Sequence, residues 1–216
     1  MNLPPRATIV EVGPRDGLQN EAARIPTPDK IAFVNALTEA GHAVIEVSAF
    51  VSPRWVPQMA DAAEVFAGIT RRPGTRYTAL VPNVAGLQRA LDAHVDEIAI
   101  FAAASESFSR RNINSSIDES LETYRDVCEQ ARARDLPIRG YVSTAFGCPF
   151  EGGVNVAAVA RVSAELVAMG AYQVAVSDTI GIAHPGQVPA VVDAVAARVP
   201  LDRIALHFHD TRGTAL

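Results

Sequence analysis

His207 and His209 stand one residue apart after the apolar run Ile204-Ala205-Leu206. Alternate residues of a strand point to one face, so both imidazoles project together while Phe208 points to the other side. This is metal-ligand spacing, although a hydrogen-bonded pair of histidines at a strand end would look the same. Asp210 adjoins the pair, and Asp16 lies far back in Gly13-Pro14-Arg15-Asp16-Gly17. A carboxylate with two imidazoles and no thiolate suits an octahedral divalent metal ion, Mg2+ or Mn2+, better than structural zinc. With positions left open to substrate or water, such a site is built for Lewis-acid chemistry.

Three further residues have the right character for that chemistry. Arg15 is either half of an Arg-Asp surface pair or a permanently charged fork that stabilises an enolate or binds a carboxylate. Glu46 is a carboxylate inside the apolar run Val44-Ile45-Glu46-Val47-Ser48, where a charge needs a partner such as Arg15 or a neighbouring metal ligand. Support and catalysis are both open to it. Asp178, in Val176-Ser177-Asp178-Thr179, reads as a helix cap or an acid-base group. Cys148 is either a reactive thiol or an inert buried one, and His42, His94 and His184 read as surface or cap residues.

The elements that must position these groups alternate. Short Val- and Ile-rich runs predict strands near Thr8–Val12, Val44–Ser48, Arg76–Val81, Glu97–Phe101, Ile138–Ser143, Tyr172–Ser177 and Arg203–His207. Helical spacing predicts helices near Asp29–Ala40, Asp61–Ile69, Val84–Ala93, Asp118–Arg134, Val156–Met169 and Pro185–Arg198. Gly41 and Gly170 suit left-handed helix caps, and Thr27-Pro28 and His184-Pro185 suit helix starts. A period of roughly 30 to 35 residues implies right-handed crossovers and a parallel sheet. Neither G-x-G-x-x-G nor G-x-x-x-x-G-K occurs, so the expected α/β fold is a TIM (β/α)8-type barrel rather than a nucleotide-binding open sheet.

The polar residues after the strand ends would then gather at one mouth. The first and seventh strands of a barrel are separated only by the eighth, so Asp16 could meet both histidines. A single domain over residues 1–216 is expected, present through about the seventh strand and lacking the carboxyl-terminal part of a barrel of about 250 residues. That makes a piece of a longer enzyme the expectation.

With 216 residues, a formal charge of -5 and a pI near 5.5, the chain lacks the basic footprint for nucleic acid or anionic lipid. No membrane span or basic-then-apolar leader is legible, and the expected localisation is cytoplasmic. Two cysteines in unrelated contexts do not form a disulfide framework or zinc motif. Of 19 basic residues only Lys30 is a lysine, and it falls on a predicted outer helix, which speaks against a Schiff-base aldolase.

Six stretches together resemble the 3-hydroxy-3-methylglutaryl-CoA lyase family: Val10–Glu21, Ser48–Met59, Phe101–Glu106, Gly147–Gly152, Ser177–Gly181 and His207–Asp210. The H-x-H and R-D elements are shared with the wider group of metal-dependent barrel lyases and Claisen-type synthases; Ser-Ala-Phe-Val-Ser-Pro-Arg-Trp-Val-Pro-Gln-Met is the specific signal. The resemblance implies cleavage of the acyl-CoA substrate 3-hydroxy-3-methylglutaryl-CoA to acetyl-CoA and acetoacetate, as in leucine degradation and ketone body formation. By motif, Asp16, His207 and His209 resemble the metal ligands, Arg15 the enolate-stabilising arginine, and Glu46 and Asp178 further active-site acids. His207 also enters the expected catalytic set as a proton carrier, provided its second nitrogen or a change of coordination allows it. The family's asparagine ligand and its cysteine-bearing glycine-rich loop are expected beyond residue 216. A homo-oligomer, a dimer, is the expected assembly. The alternatives are a related acyl-CoA lyase or Claisen-type synthase, and a catalytically silent barrel fragment acting only in assembly.

Overall fold

A computed structural model describes residues 6–215. Residues 1–5, part of the segment read for a leader, and Leu216 lie outside the described residues. Six strands follow one another in chain order in a single sheet: β1 Val44–Ala49, β2 Arg76–Leu80, β3 Glu97–Ala103, β4 Ile138–Ser143, β5 Gln173–Asp178 and β6 Ile204–Phe208. The chain packs as two compact units, Met1–Ile98 and Ala99–Leu216.

In the first unit, β1 pairs with β2 in parallel, with a bulge between Glu46 and Ser48. Helices α1 Thr27–Glu39, α2 Ala62–Gly68 and α3 Val84–Asp92 accompany these strands. Pro28 sits in the first turn of α1, where its missing N–H costs nothing, and Asn83 caps α3 by accepting from the Gly86 N–H at 2.9 Å. Val34, Ile45, Val65, Tyr77 and Leu87 are buried.

The expected first strand, Thr8–Val12, does not form among the described residues. Glu11 alone makes a parallel bridge, donating from its N–H to the Val44 carbonyl and accepting from Glu46 N–H. Two residues later the backbone turns, because Arg15 and Asp16 both donate to the Val12 carbonyl and Pro14 has no N–H to extend a ladder. Gly13–Gly17 is a single π-type turn.

In the second unit, β4, β5 and β6 pair in parallel, with Ser177 opposite His207 and Asp178 opposite Phe208. α6, Val156–Ala168, packs on β4 and β5 and against α7, Val188–Ala196. α7 starts later than the expected Pro185, since Gln187 N–H closes a turn on the His184 carbonyl first. α5, Ile117–Arg132, opens with a complete capping box between Ser116 and Glu119. α4, Glu106–Ile113, was not expected: two serines and two arginines dilute its apolar spacing, and its start is set by Ser105 accepting from Phe108 N–H at 3.1 Å. Gly170 does take the left-handed conformation after α6, at φ +115°.

Burial pushes the Cys128 thiol up to about 11, from an ordinary 9.0. The unfolded thiol therefore ionises first, and stability falls as pH rises from about 9 to about 11. In denaturant titrations across that window, Cys128→Ala is expected to show a shallower decline than the parent chain.

Candidate active site

In the first unit the site begins with a buried ion pair. Arg15 Nε donates to Glu46 Oε1, and Arg15 NH1 donates to Asp16 Oδ1 at 2.7 Å. Glu46 is 0 % exposed and Arg15 is also buried, so this is not a surface pair. Glu46 reaches this position because β1 carries it inward at the bulge, a feature that re-aims side chains. Arg15 and Asp16 reach it through the π-type turn. That turn is braced by Glu11, whose carboxylate accepts from Gly13 N–H at 2.6 Å; a Cβ at residue 13 would stand 2.8 Å from that oxygen, so a side chain there would displace the brace. Asp16 keeps a half-buried carboxylate beside the guanidinium, and Asn20 Nδ2 donates to the Asp16 carbonyl at 2.8 Å. The result is an oriented cation flanked by two carboxylates.

In the second unit, His207 lies on β6 and His209 just beyond it, both half-buried. Their ring centroids are 4.9 Å apart, and each offers a ring nitrogen within 4.8 Å of the other's. Phe208 turns the opposite way onto Phe146, with centroids 5.5 Å apart, as period-two alternation requires. Tyr141 of β4 presents its ring edge-on to His207, with centroids 6.1 Å apart and an 81° angle. Two imidazoles directed together are a donor set that fits a divalent ion.

Asp178 ends β5 buried, and both its oxygens accept backbone N–H groups: Oδ1 from Ile182 at 3.0 Å and Oδ2 from Ala183 at 2.9 Å. It thus holds the turn after β5 rather than capping a helix, since α7 opens only at Val188, while each oxygen retains a second lone pair. Cys148 is buried; its Sγ accepts from Ser105 Oγ at 3.0 Å and from Phe150 N–H at 3.4 Å.

Two residues of this region were missed in the sequence. Tyr141 alternates with Arg139 and Ser143 on β4, and an aromatic hydroxyl in the outer half of a barrel strand was the available signal. Thr144 follows β4 at φ +58°, a strained conformation for a β-branched residue. It is held there because its N–H donates to Thr179 Oγ1 at 2.8 Å and the next N–H, of Ala145, donates to the Ser177 carbonyl at 3.0 Å.

The HMGL-like family model matches residues 6–216. The chain belongs to the HMGL-like family. Its relatives include the 3-hydroxy-3-isohexenylglutaryl-CoA/hydroxy-methylglutaryl-CoA lyase of Pseudomonas aeruginosa, 54 % identical over 216 residues, which span 100 % of this chain and 72 % of that protein. The crystal structure of hydroxymethylglutaryl-CoA lyase from Pseudomonas aeruginosa superposes with a TM-score of 0.96 at 54 % identity, covering 100 % of this chain and 72 % of that one. An HMG-CoA lyase from Acenitobacter baumannii, solved in complex with coenzyme A and 3-methylmalate, matches at 36 % identity and a TM-score of 0.89 over 94 % of this chain and 66 % of that chain. This HMGL-like chain therefore has the expected α/β fold of TIM-barrel type.

Removing one half of a buried ion pair leaves the other charge stranded, so Glu46→Leu is expected to destabilise the HMGL-like chain by about 3–5 kcal/mol. Asp178→Asn turns one acceptor into a donor facing a backbone N–H, and a smaller loss of about 1–3 kcal/mol is expected. Urea denaturation of the two variants against the parent measures both.

Proposed function

We propose that this chain is a divalent-metal-dependent carbon-carbon lyase that cleaves 3-hydroxy-3-methylglutaryl-CoA to acetyl-CoA and acetoacetate. The observation that carries the reading is the whole-chain likeness, at 54 % identity, to a protein named for that cleavage. The chemistry of the side chains supports it independently.

The bond to be broken joins a tertiary alcohol carbon to the α-carbon of a thioester. The hydroxyl proton must leave, the alcohol carbon becomes the ketone of acetoacetate, and the bonding pair moves to the α-carbon as a thioester enolate. Protonation of that carbon then yields acetyl-CoA. Neither an oxidant nor a reductant is needed.

Asp16, His207 and His209 are the proposed metal ligands, each offering one ligand atom. The bound cation would acidify the substrate hydroxyl and hold its oxygen. Arg15, its planar fork fixed by Glu46 and Asp16, stabilises the negative charge that develops on the thioester oxygen. Because the guanidinium is held before substrate arrives, little reorganisation is left for the reaction itself. Asp178 takes the hydroxyl proton and returns a proton to carbon through the lone pairs its two backbone hydrogen bonds leave over; His207 would share that role only by proton exchange at the ring nitrogen not given to the metal or by a change of coordination. Glu46 supports Arg15.

No helix among the described residues is long and apolar enough to cross a membrane. Two free thiols, Cys128 and Cys148, are compatible with the reducing cytoplasm proposed as its compartment. A homodimer is the proposed assembly, which light scattering tests directly. The isohexenyl name of the Pseudomonas relative makes longer 3-alkyl thioesters the second substrate class to assay.

With Mg2+ or Mn2+ and the thioester, acetoacetate is expected and a chelator should abolish it; absence of product in both metals counts against the reading. Arg15→Met should keep cation affinity by calorimetry and lose about 100-fold or more in kcat. His209→Ala should lose the affinity itself. Equal loss of affinity in both variants would refute this division of roles.

A further inference from the structure

We propose that Lys30 and Asp61 form a positioning pair that, through the Pro57–Met59 turn, sets the bulge in β1 and thereby the direction in which Glu46 holds Arg15. The functional half of this inference rests on the lyase reading; the structural half does not.

Lys30 is the one lysine in a chain with 19 basic residues, and on α1 it is buried. Its ammonium donates to Asp61 Oδ1 at 2.7 Å and to the Gln58 carbonyl. Asp61 Oδ2 accepts from Thr27 Oγ1 at 2.7 Å. A compact ammonium can serve a carboxylate and a carbonyl on different sides, whereas a planar guanidinium spreads its donors in one fork. This accounts for a lysine in a chain that elsewhere uses arginine. Burial raises the Asp61 carboxyl, but hydrogen bonds from Lys30 and Thr27 outweigh it and hold the group below its ordinary value.

What the pair holds is a short 3-10 turn, Pro57–Met59. Two ties follow from fixing it. Gln58, gripped by its carbonyl, donates from Nε2 to the Glu21 carbonyl at 3.2 Å, four residues past the turn that carries Arg15 and Asp16. Met59, 1 % exposed, accepts at its sulfur from Ser48 Oγ at 3.4 Å. Ser48 is the residue on the far side of the β1 bulge from Glu46. Bulges bend a strand and redirect the side chains beside them, so seating Ser48 also fixes where Glu46 points. Lys30 and Asp61 bind Gln58, Thr27 and each other, and the pair acts on Arg15 through the turn and the bulge, as a positioning device.

The test uses Lys30→Met and, because that variant leaves Asp61 without its cation, Asp61→Asn as a milder second. In nitrogen-labelled protein the Arg15 Nε–H resonance, assigned by its disappearance in Arg15→Met, is expected to shift and to exchange faster with solvent in both variants. Trypsin nicking after the exposed Arg54 should accelerate, and the anisotropy of Trp55, the only tryptophan, should fall. In the lyase assay kcat should drop by about tenfold or more, at temperatures well below unfolding, with KM almost unchanged. An unaltered Arg15 Nε–H in variants whose 52–61 segment has loosened would overturn the proposal. So would an unchanged kcat in an active parent. A parent chain that cleaves no thioester fails the lyase reading alone, and the Arg15 resonance still decides the positioning claim.

Discussion

A guanidinium taken out of water must be matched, and the first unit is arranged around that requirement. Arg15 is buried against Glu46, a carboxylate with no exposed surface, and keeps a second contact to Asp16. Each charge removes the other's cost of burial only while the geometry holds, since a stranded partner costs several kcal/mol. The bulge of β1, the π-type turn at Gly13–Gly17 and the Glu11 brace on Gly13 all serve that geometry. The same restraint makes the arginine useful. A permanently charged fork whose rotation is already fixed is a better electrostatic partner for a developing enolate than a mobile one on the surface.

The second unit meets a different constraint with strand alternation. Period two puts His207 and His209 together and sends Phe208 to pack on Phe146, so one short strand end supplies both a donor pair and its apolar anchor. Around it, side chains are engaged with backbone. Asp178 closes the turn after β5, and Thr179 receives the N–H of the strained Thr144. Strain at Thr144, held by hydrogen bonds from both sides of the turn, is characteristic of a rim shaped for function rather than for stability.

Much of this was legible in the sequence because local rules set it. Apolar runs placed β1 to β6 to within a few residues, and the alternation of strands with helices identified the α/β class. The failures have equally local causes. Thr8–Val12 has strand composition, yet a strand needs a ladder, and the turn at Gly13-Pro14 leaves Glu11 as its only bridge. α4 was hidden because its stability lies in the Ser105 cap and contacts that a count of apolar spacing does not register. Lys30 falls on the helix expected for it, but the spacing does not say that its side chain is buried. Nothing in the spacing of α1 says that the turn 27 residues later will offer it a carbonyl and a carboxylate.

By itself the sequence determined residue chemistry and near-neighbour geometry: the paired imidazoles at His207 and His209, the arginine next to a carboxylate at Arg15-Asp16, and an internal acid at Glu46. These follow from bond lengths and strand period, which act over a few residues. Only the tertiary structure decided that Glu46 is the partner of Arg15, that Asp178 closes a turn, and that Lys30 is buried against Asp61. Those pairings join segments distant in the chain, and desolvation selects among them according to which groups end up within hydrogen-bond reach once water is excluded.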